Sequence, residues 1–303
     1  MFEIKFFLKI INPFSIIKAI IYHKSQKKYR KSRNDLELML YSKIITNDML
    51  HYGYFNNIDI PADEISIKKF QDAQNNYVKI IMKQIKSYHK NILDVGCGMG
   101  GLSKILLDNE FKVESLTPDN NQYEYINSKY TDLTVHHMKY EEFSAQSRFD
   151  VIINSESLQY INLEKAFHKS TNILKDNGIW IIIDYFRIHD KGVNKSGHLL
   201  SDFIKMTDKN KWEIISSKDI TKNILPTLKF ATFIVKRFIN PLGDFVLEKV
   251  RVKYSWFYYL IQQYKNDIKL KRHKEMSALD PAKFSSEKKY MLYVLKKRVN
   301  YLK

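Results

Sequence analysis

Four glycines, Gly96, Gly98, Gly100 and Gly101, follow directly on the run Ile92-Leu93-Asp94-Val95 and precede an apolar-periodic segment from Leu102 to Leu107. Glycine at such a turn permits a tight reversal, lets a ligand approach backbone N–H groups, and lets a helix start close to a strand. The chemistry implied is the cradling of a cofactor on backbone donors, though glycine spacing alone does not choose the cofactor. The acid two residues before the first glycine, and a next apolar run, Phe111 to Leu116, that closes in Thr117-Pro118 rather than in an acid, both argue against a nicotinamide dinucleotide. For proton transfer the chain offers Glu156, His189 and His51, in that order, as candidate general bases. Cys97, the single cysteine, cannot form an internal disulfide, and no Cys/His cluster has metal-ligand spacing.

Leu93-Asp94-Val95-Gly96-Cys97-Gly98-Met99-Gly100 resembles the first motif of the class I S-adenosylmethionine-dependent methyltransferases, hydrophobic-Leu-Asp-hydrophobic-Gly-x-Gly-x-Gly. The resemblance implies S-adenosyl-L-methionine as cofactor, with Gly96, Cys97, Gly98 and Gly100 against its methionine part and Asp94 supporting the turn and the amino group. Further matches resemble the cyclopropane-fatty-acid-synthase-like branch. Tyr54-Phe55 is followed by Ala73-Gln74, and Leu116-Thr117-Pro118-Asp119-Asn120-Asn121-Gln122 stands where that branch has Leu-Thr-x-Ser-x-x-Gln. By that resemblance Thr117 and Gln122 bond the ribose hydroxyls, as a hydroxyl and an amide are able to do. Tyr54 belongs to a lid over the cofactor, Tyr140 lies near the adenine, and Asn154 opens the segment bordering methyl transfer. Three positions depart from the branch. Pro118 replaces a common Leu, Tyr52 stands at the lid cysteine, and Gln159-Tyr160 replaces the Glu-His pair that helps hold a bicarbonate base. Glutamine is no base near neutral pH, which argues against cyclopropanation by that mechanism. The Asp/Asn-Pro-Pro-aromatic sequence of the adenine- and glutamine-modifying amino-methyltransferases is absent.

These residues need a scaffold that brings strand ends together. The resemblance implies a doubly wound, Rossmann-like α/β fold with a seven-stranded sheet. Its strands are expected at Ile92–Val95, Phe111–Leu116, Thr134–His137, Phe149–Asn154, Gly178–Asp184, Trp212–Ser217 and Tyr290–Leu295. Ser66 is expected to cap a helix reaching about Ile85, and Leu163–Leu174 to be a helix stopped by Gly178. Residues 220–284 read as a helical insert before the last strand, rich in aromatic residues and too long for a simple connection, hence a substrate cover. The expected division is an N-terminal basic-hydrophobic arm and lid over 1–64, and a methyltransferase domain over 65–303 that contains the insert.

The chain has 303 residues, enough for a full core, and 44% hydrophobic content argues against disorder. Its net charge of +17 is segregated: residues 1–33 carry +8, residues 222–303 carry +13, and the middle is mildly acidic. Basic ends suggest contact with something anionic, phospholipid or nucleic acid, although charge runs are often only solvated. The segment Met1–Tyr22 is rich in Phe, Ile and Leu but broken by Lys9, Asn12-Pro13 and Lys18, so no run reaches the ~20 apolar residues of a membrane span. No signal-type cleavage site follows it, and the cationic stretch from His23 to Lys31 does. That is the pattern of a helix lying in a membrane interface. The expectation is an enzyme that methylates a hydrophobic small molecule or lipid-like acceptor, cytoplasmic and peripheral on an anionic membrane. RNA methylation is the weaker alternative, because no RNA-binding module is recognisable, and a non-catalytic binding protein on the same fold is a third.

Overall fold

The computed structural model describes residues 8–26, 43–191 and 195–298. The sheet-forming runs are dominated by Ile, Val, Leu and Trp, and they form seven strands: β1 (Asn91–Val95), β2 (Lys112–Thr117), β3 (Thr134–His137), β4 (Phe149–Ser155), β5 (Leu174–Arg187), β6 (Trp212–Asp219) and β7 (Lys288–Lys297). Their order is β3-β2-β1-β4-β5-β7-β6, with only β7 antiparallel to its neighbours. A parallel sheet must be covered on both faces, and alternation along β5 does this. Ile181 and Ile183 face one apolar cluster with Tyr77, Val78 and Ile81, while Trp180, Ile182 and Phe186 face another with Phe167, Phe203 and Trp212.

The helices between the strands are α1 (Pro13–Ser25), α2 (Ile67–Met82), α3 (Gly101–Asp108), α4 (Asn120–Lys129), α5 (Leu163–Ile173), α6 (Leu200–Lys209), α7 (Thr221–Ile234), α8 (Asn240–Lys253), α9 (Ser255–Ile261), α10 (Lys265–Ala278) and α11 (Pro281–Glu287). As its sequence predicts, α2 is capped by Ser66, whose hydroxyl accepts from Lys69 N at 3.1 Å, and it buries Phe70, Ala73, Gln74, Tyr77, Val78 and Ile81. It ends at Met82, a turn earlier than expected.

Gly178 does not act as a helix stop. Helix α5 ends at Ile173, and Leu174 already has extended geometry, so the chain passes straight into β5. Gly178 is needed for close approach instead: a Cβ there would lie 2.6 Å from Leu174 Cγ and 2.9 Å from the Asp150 carbonyl oxygen. The strand is therefore longer than its apolar run suggests, carrying Tyr185 and Arg187 past the edge of the core.

Two parts bury little. Helix α1, capped by Asn12, has no buried residue, and Phe14 is 76% exposed. In the insert, α7 packs Ile224, Leu228 and Phe230 onto the core, but α8 and α9 bury none of their residues. Among the described residues no helix is long and apolar enough to cross a membrane. The part of the cationic run beyond Gln26 lies outside the described residues.

Candidate active site

Val95, the last residue of β1, is in register with Leu116 of β2 and Asn154 of β4, so three parallel strands end on one line. At a switch in strand order this is where a doubly wound sheet leaves a crevice. A cavity of about 530 Å³ opens there, within the range of small-molecule sites. Asp94, Gly96, Cys97, Gly98, Thr117, Gln122, Tyr140, Glu156 and His51 all line it.

The glycine turn works in two different ways. Gly96 has φ 75° and packs on Ser157, whose hydroxyl donates to the Val95 carbonyl and whose Cβ would be 2.5 Å from a Cβ on residue 96. Gly98, at φ 58°, would meet only the flexible end of Leu50, at 3.2 Å. Gly96→Ala should therefore lose about 2–4 kcal/mol of stability through left-handed strain plus overpacking, against about 1 kcal/mol for Gly98→Ala. Denaturant unfolding of the two variants gives the comparison, and equal losses would remove the assigned role of Ser157.

Asp94 is buried beneath the turn. Its Oδ2 accepts from Ser103 Oγ, which in turn accepts from Ser115, while Oδ1 is buried with no partner. Burial raises its pKa to about 6, with Ser103 working in the opposite direction. At the end of β2, Thr117 donates its hydroxyl to Gln122 Oε1 at 2.6 Å, so the pair acts as a unit in which threonine aims the amide. Asp119 caps α4 and fixes the backbone of Gln122. Tyr140 borders the cavity with its hydroxyl engaged by Ser170 at 2.7 Å.

The segment before the aromatic cluster closes the cavity from the N-terminal side. Gln74 donates to the carbonyls of Met49 and His51, Tyr54 N donates to Ala73 O at 2.8 Å, and a Cβ on Gly53 would lie 2.7 Å from that of Ala73. The Tyr54-Phe55 and Ala73-Gln74 pairs are thus two halves of one interlock. Asp48 anchors the other end, accepting from Tyr125, Lys129 and Tyr130 of the α4 region, while its carbonyl accepts from Gly101 N. His51 stacks on Tyr77 with ring centroids 4.1 Å apart.

Glu156 follows β4 with φ 53°, a left-handed conformation unusual for a non-glycine residue and typical of functional sites. Its Oε1 accepts from Tyr52 N at 2.7 Å and from the Tyr290 hydroxyl. Burial lifts its pKa to about 7, with Tyr290 and Tyr52 opposing. Tyr52, Tyr185, Phe284 and Tyr290 form a mutually contacting aromatic group beside it.

Four candidate residues lie away from the cavity wall. His189 is exposed beyond β5. Tyr54 turns its hydroxyl to Lys218 at 3.1 Å, and Asn154 is spent between Trp180 and Ser157. A Cβ on Gly100 would meet Ile126 and Tyr130, so that glycine serves helix packing. Sequence reasoning missed Asp48, Leu50, Ser157, Gln159 and Tyr290. Of these only Gln159 had a signal, its place at the branch's Glu-His pair, where it was read as the loss of a base and not as a site residue.

Residues 92–178 match the family described as methyltransferase domain. This stretch of the chain is a methyltransferase domain, and the chain has the fold of the class I S-adenosylmethionine-dependent methyltransferases. Over 185 residues it is 23% identical to a sterol 4-C-methyltransferase of Caenorhabditis elegans, covering 57% of this chain and 54% of that protein. The chain thus spans about half the length of this curated relative. Among solved structures it resembles the geranyl diphosphate C-methyltransferase of Streptomyces coelicolor, at 15% identity and a TM-score of 0.61 over 89% of this chain and 96% of that one. It also resembles the cyclopropane synthase MmaA2 of Mycobacterium tuberculosis, at 12% identity and a TM-score of 0.64 over 88% and 96%. At such identities the structures speak for the fold. The methyltransferase domain also meets a chemical test of fit for its cofactor. Asp94 Oδ1 is a buried acceptor awaiting a cation or N–H, and the Thr117–Gln122 pair offers polar groups for a diol across the same cavity.

Proposed function

We propose that this protein transfers a methyl group from S-adenosylmethionine to a hydrophobic small molecule or lipid-like acceptor at an anionic membrane surface. The observation that carries the transfer is the unpartnered Asp94 Oδ1 in a cavity built by the glycine turn, the Thr117–Gln122 pair and Tyr140. The bound cofactor supplies an activated methyl on a sulfonium, which needs no acid to leave. The chain's own work is then binding and placement. Asp94 accepts from the ammonium, Gln122 holds the ribose, and the 48–55 segment excludes water while tied down by Gln74 and Asp48. Leu50, Leu102, Met138, Tyr160 and Ile161 give the cavity that holds Glu156 an apolar wall, which favours an apolar acceptor.

The test supplies methyl-labelled S-adenosylmethionine and host extract to the purified protein. Label is expected in the organic-soluble fraction; label in RNA or in the aqueous pool would sink the hydrophobic-acceptor reading.

For the membrane we read residues 1–64 as arm and lid and residues 65–303 as the catalytic domain, and assign the docking to α1 and to the α8–α9 part of the insert. Leu242, Phe245, Val252 and Tyr259 are each more than 60% exposed, with Lys236, Arg237, Lys249, Arg251 and Lys253 in the same stretch. Exposed apolar helices carrying lysine and arginine suit an anionic interface. No residue of 220–284 lines the cavity, so the insert is not part of the cavity wall. Phe245→Asp combined with Leu242→Asp should cut flotation with phosphatidylglycerol vesicles about tenfold or more and leave cofactor affinity unchanged. Undiminished flotation would remove α8 from the docking surface.

A further inference from the structure

The buried side-chain polar atoms without a partner, among the described residues, are His51 Nε2, His89 Nε2, Asp94 Oδ1 and Gln159 Oε1. Three of the four belong to residues lining the cavity described above, and Asp94 is assigned above to the cofactor's ammonium. His51 Nε2 and Gln159 Oε1 then remain without a role.

Both are held in place with care. His51 Nδ1 lies 2.8 Å from the Tyr52 carbonyl oxygen, which can only accept, so Nδ1 carries the proton and Nε2 presents a lone pair. The ring is stacked on Tyr77 and its backbone carbonyl is gripped by Gln74 at 2.8 Å. Gln159 N donates to Asp184 Oδ2 at 3.1 Å and its Nε2 donates to the Glu156 carbonyl at 3.3 Å, which fixes the amide with Oε1 as the free atom. The two residues are linked through Glu156, whose carboxylate takes the N–H of Tyr52 next to His51 and whose carbonyl takes the amide of Gln159. Two acceptors without donors thus flank Glu156. A buried acceptor left unpaired costs about 1–3 kcal/mol, and a site built this way rejects a ligand that lacks the matching donor.

We infer that the atom receiving the methyl group carries a proton, as an O–H or N–H donated to His51 Nε2, with Gln159 Oε1 taking a second donor of the same acceptor molecule. This rests on the methyl-transfer reading and adds the acceptor's chemistry to it. It also parts company with the two C-methyltransferases to which the chain is similar, because a carbon acceptor has no O–H or N–H at the methylated atom to donate. In the transfer step a lone pair on oxygen or nitrogen forms the new bond to the methyl carbon. The methyl–sulfur bond breaks with its electron pair remaining on sulfur; from an oxygen acceptor the proton passes to His51 Nε2, and from a nitrogen acceptor it leaves with the product as an ammonium hydrogen-bonded to Nε2. Burial lowers the His51 pKa to about 4, which keeps the ring neutral and its lone pair available before reaction. A methylated O–H is a far stronger acid than imidazolium, so even this weak base receives the proton from oxygen as the bond forms; a methylated amine is a weaker acid than this imidazolium and keeps its proton, with His51 Nε2 accepting its hydrogen bond.

The test uses the full chain. Labelled product from host extract is heated in hydriodic acid, which releases O- and N-methyl groups as volatile methyl iodide and leaves C-methyl groups behind. Volatile label is expected; label retained in the residue would overturn the inference while leaving methyl transfer itself standing. His51→Phe keeps a ring against Tyr77 and should lower kcat about 100-fold with the cofactor Kd within twofold of wild type. An equal loss in cofactor affinity would overturn the assignment by giving Nε2 to the cofactor. Independently of any product, nitrogen–proton correlation spectra at pH 7, assigned with His51→Gln, should find the Nδ1–H tautomer. A proton on Nε2 would exclude His51 as the acceptor.

Discussion

Asp94→Ala should weaken S-adenosylmethionine binding about 10- to 100-fold, measured by titration calorimetry. The estimate is the loss of one charge-assisted hydrogen bond, about 1.5–3 kcal/mol. A second loss, in stability, comes with it, because Ser103 Oγ keeps its contact with Ser115 but loses its carboxylate acceptor inside the core. The pH dependence separates the charge from the packing. Burial holds the Asp94 pKa at about 6 before a ligand arrives, so below pH 6 the group carries a proton that an incoming ammonium must displace. Affinity should fall as pH drops through 6, by at most tenfold per unit. Asp94→Asn should bind weakly and without that slope, while Glu156→Gln should retain it. An Asp94→Asn variant that binds like wild type would remove Asp94 from the site.

Glu156→Ala should reduce methyl transfer about 100-fold by loosening the segment that holds His51 and cost about 1–3 kcal/mol of stability, since it strands Tyr52 N and leaves the Tyr290 hydroxyl with Tyr77 alone. Glu156→Gln keeps an oxygen for both, so its stability loss should be small and its effect should depend on pH. The carboxyl's ordinary value is 4.5 and the folded one is about 7, because burial disfavours the charged form. A raised folded pKa means that the native state holds the proton longer than the unfolded chain. The stabilisation from this group is then complete below about pH 4.5 and lost as pH rises through 7. Glu156→Gln removes the slope, so relative to wild type it should gain stability between pH 5 and pH 8 in denaturant unfolding. A gain in the opposite direction would mean that Glu156 is ionised in the folded protein throughout.

The strand-turn-helix at Asn91–Asp108, the positions of the strands and the Thr117–Gln122 pair were legible in the sequence, because each depends on residues close together in the chain. Period and composition define a strand, and a five-residue spacing suffices to bring a threonine at a strand end to a glutamine in the first turn of a helix. The Gly178 stop was misread for the same reason. Glycine after an apolar helix satisfies a local rule, but what decides its use is the Asp150 carbonyl of a neighbouring strand. Candidate residues that proved to lie off the cavity wall, Asn154, Tyr54 and Gly100, have the right types at the right positions, yet their side chains or their space are claimed by Trp180, Lys218 and Ile126.

By itself the sequence determined that this chain forms a strand, a glycine turn and a helix at the end of a parallel sheet, since local hydrophobic period, turn glycines and one acid are encoded within a short stretch. Only the tertiary structure decided which acceptors of cavity-lining residues are buried with nothing to bond. Tyr52 N reaches Glu156 across 104 residues and Tyr290 reaches it across 134, so the surroundings of Glu156, His51 and Gln159 exist only once α2, β4 and β7 are packed. An unpaired lone pair has meaning only after burial has removed water from it, and burial belongs to the fold as a whole.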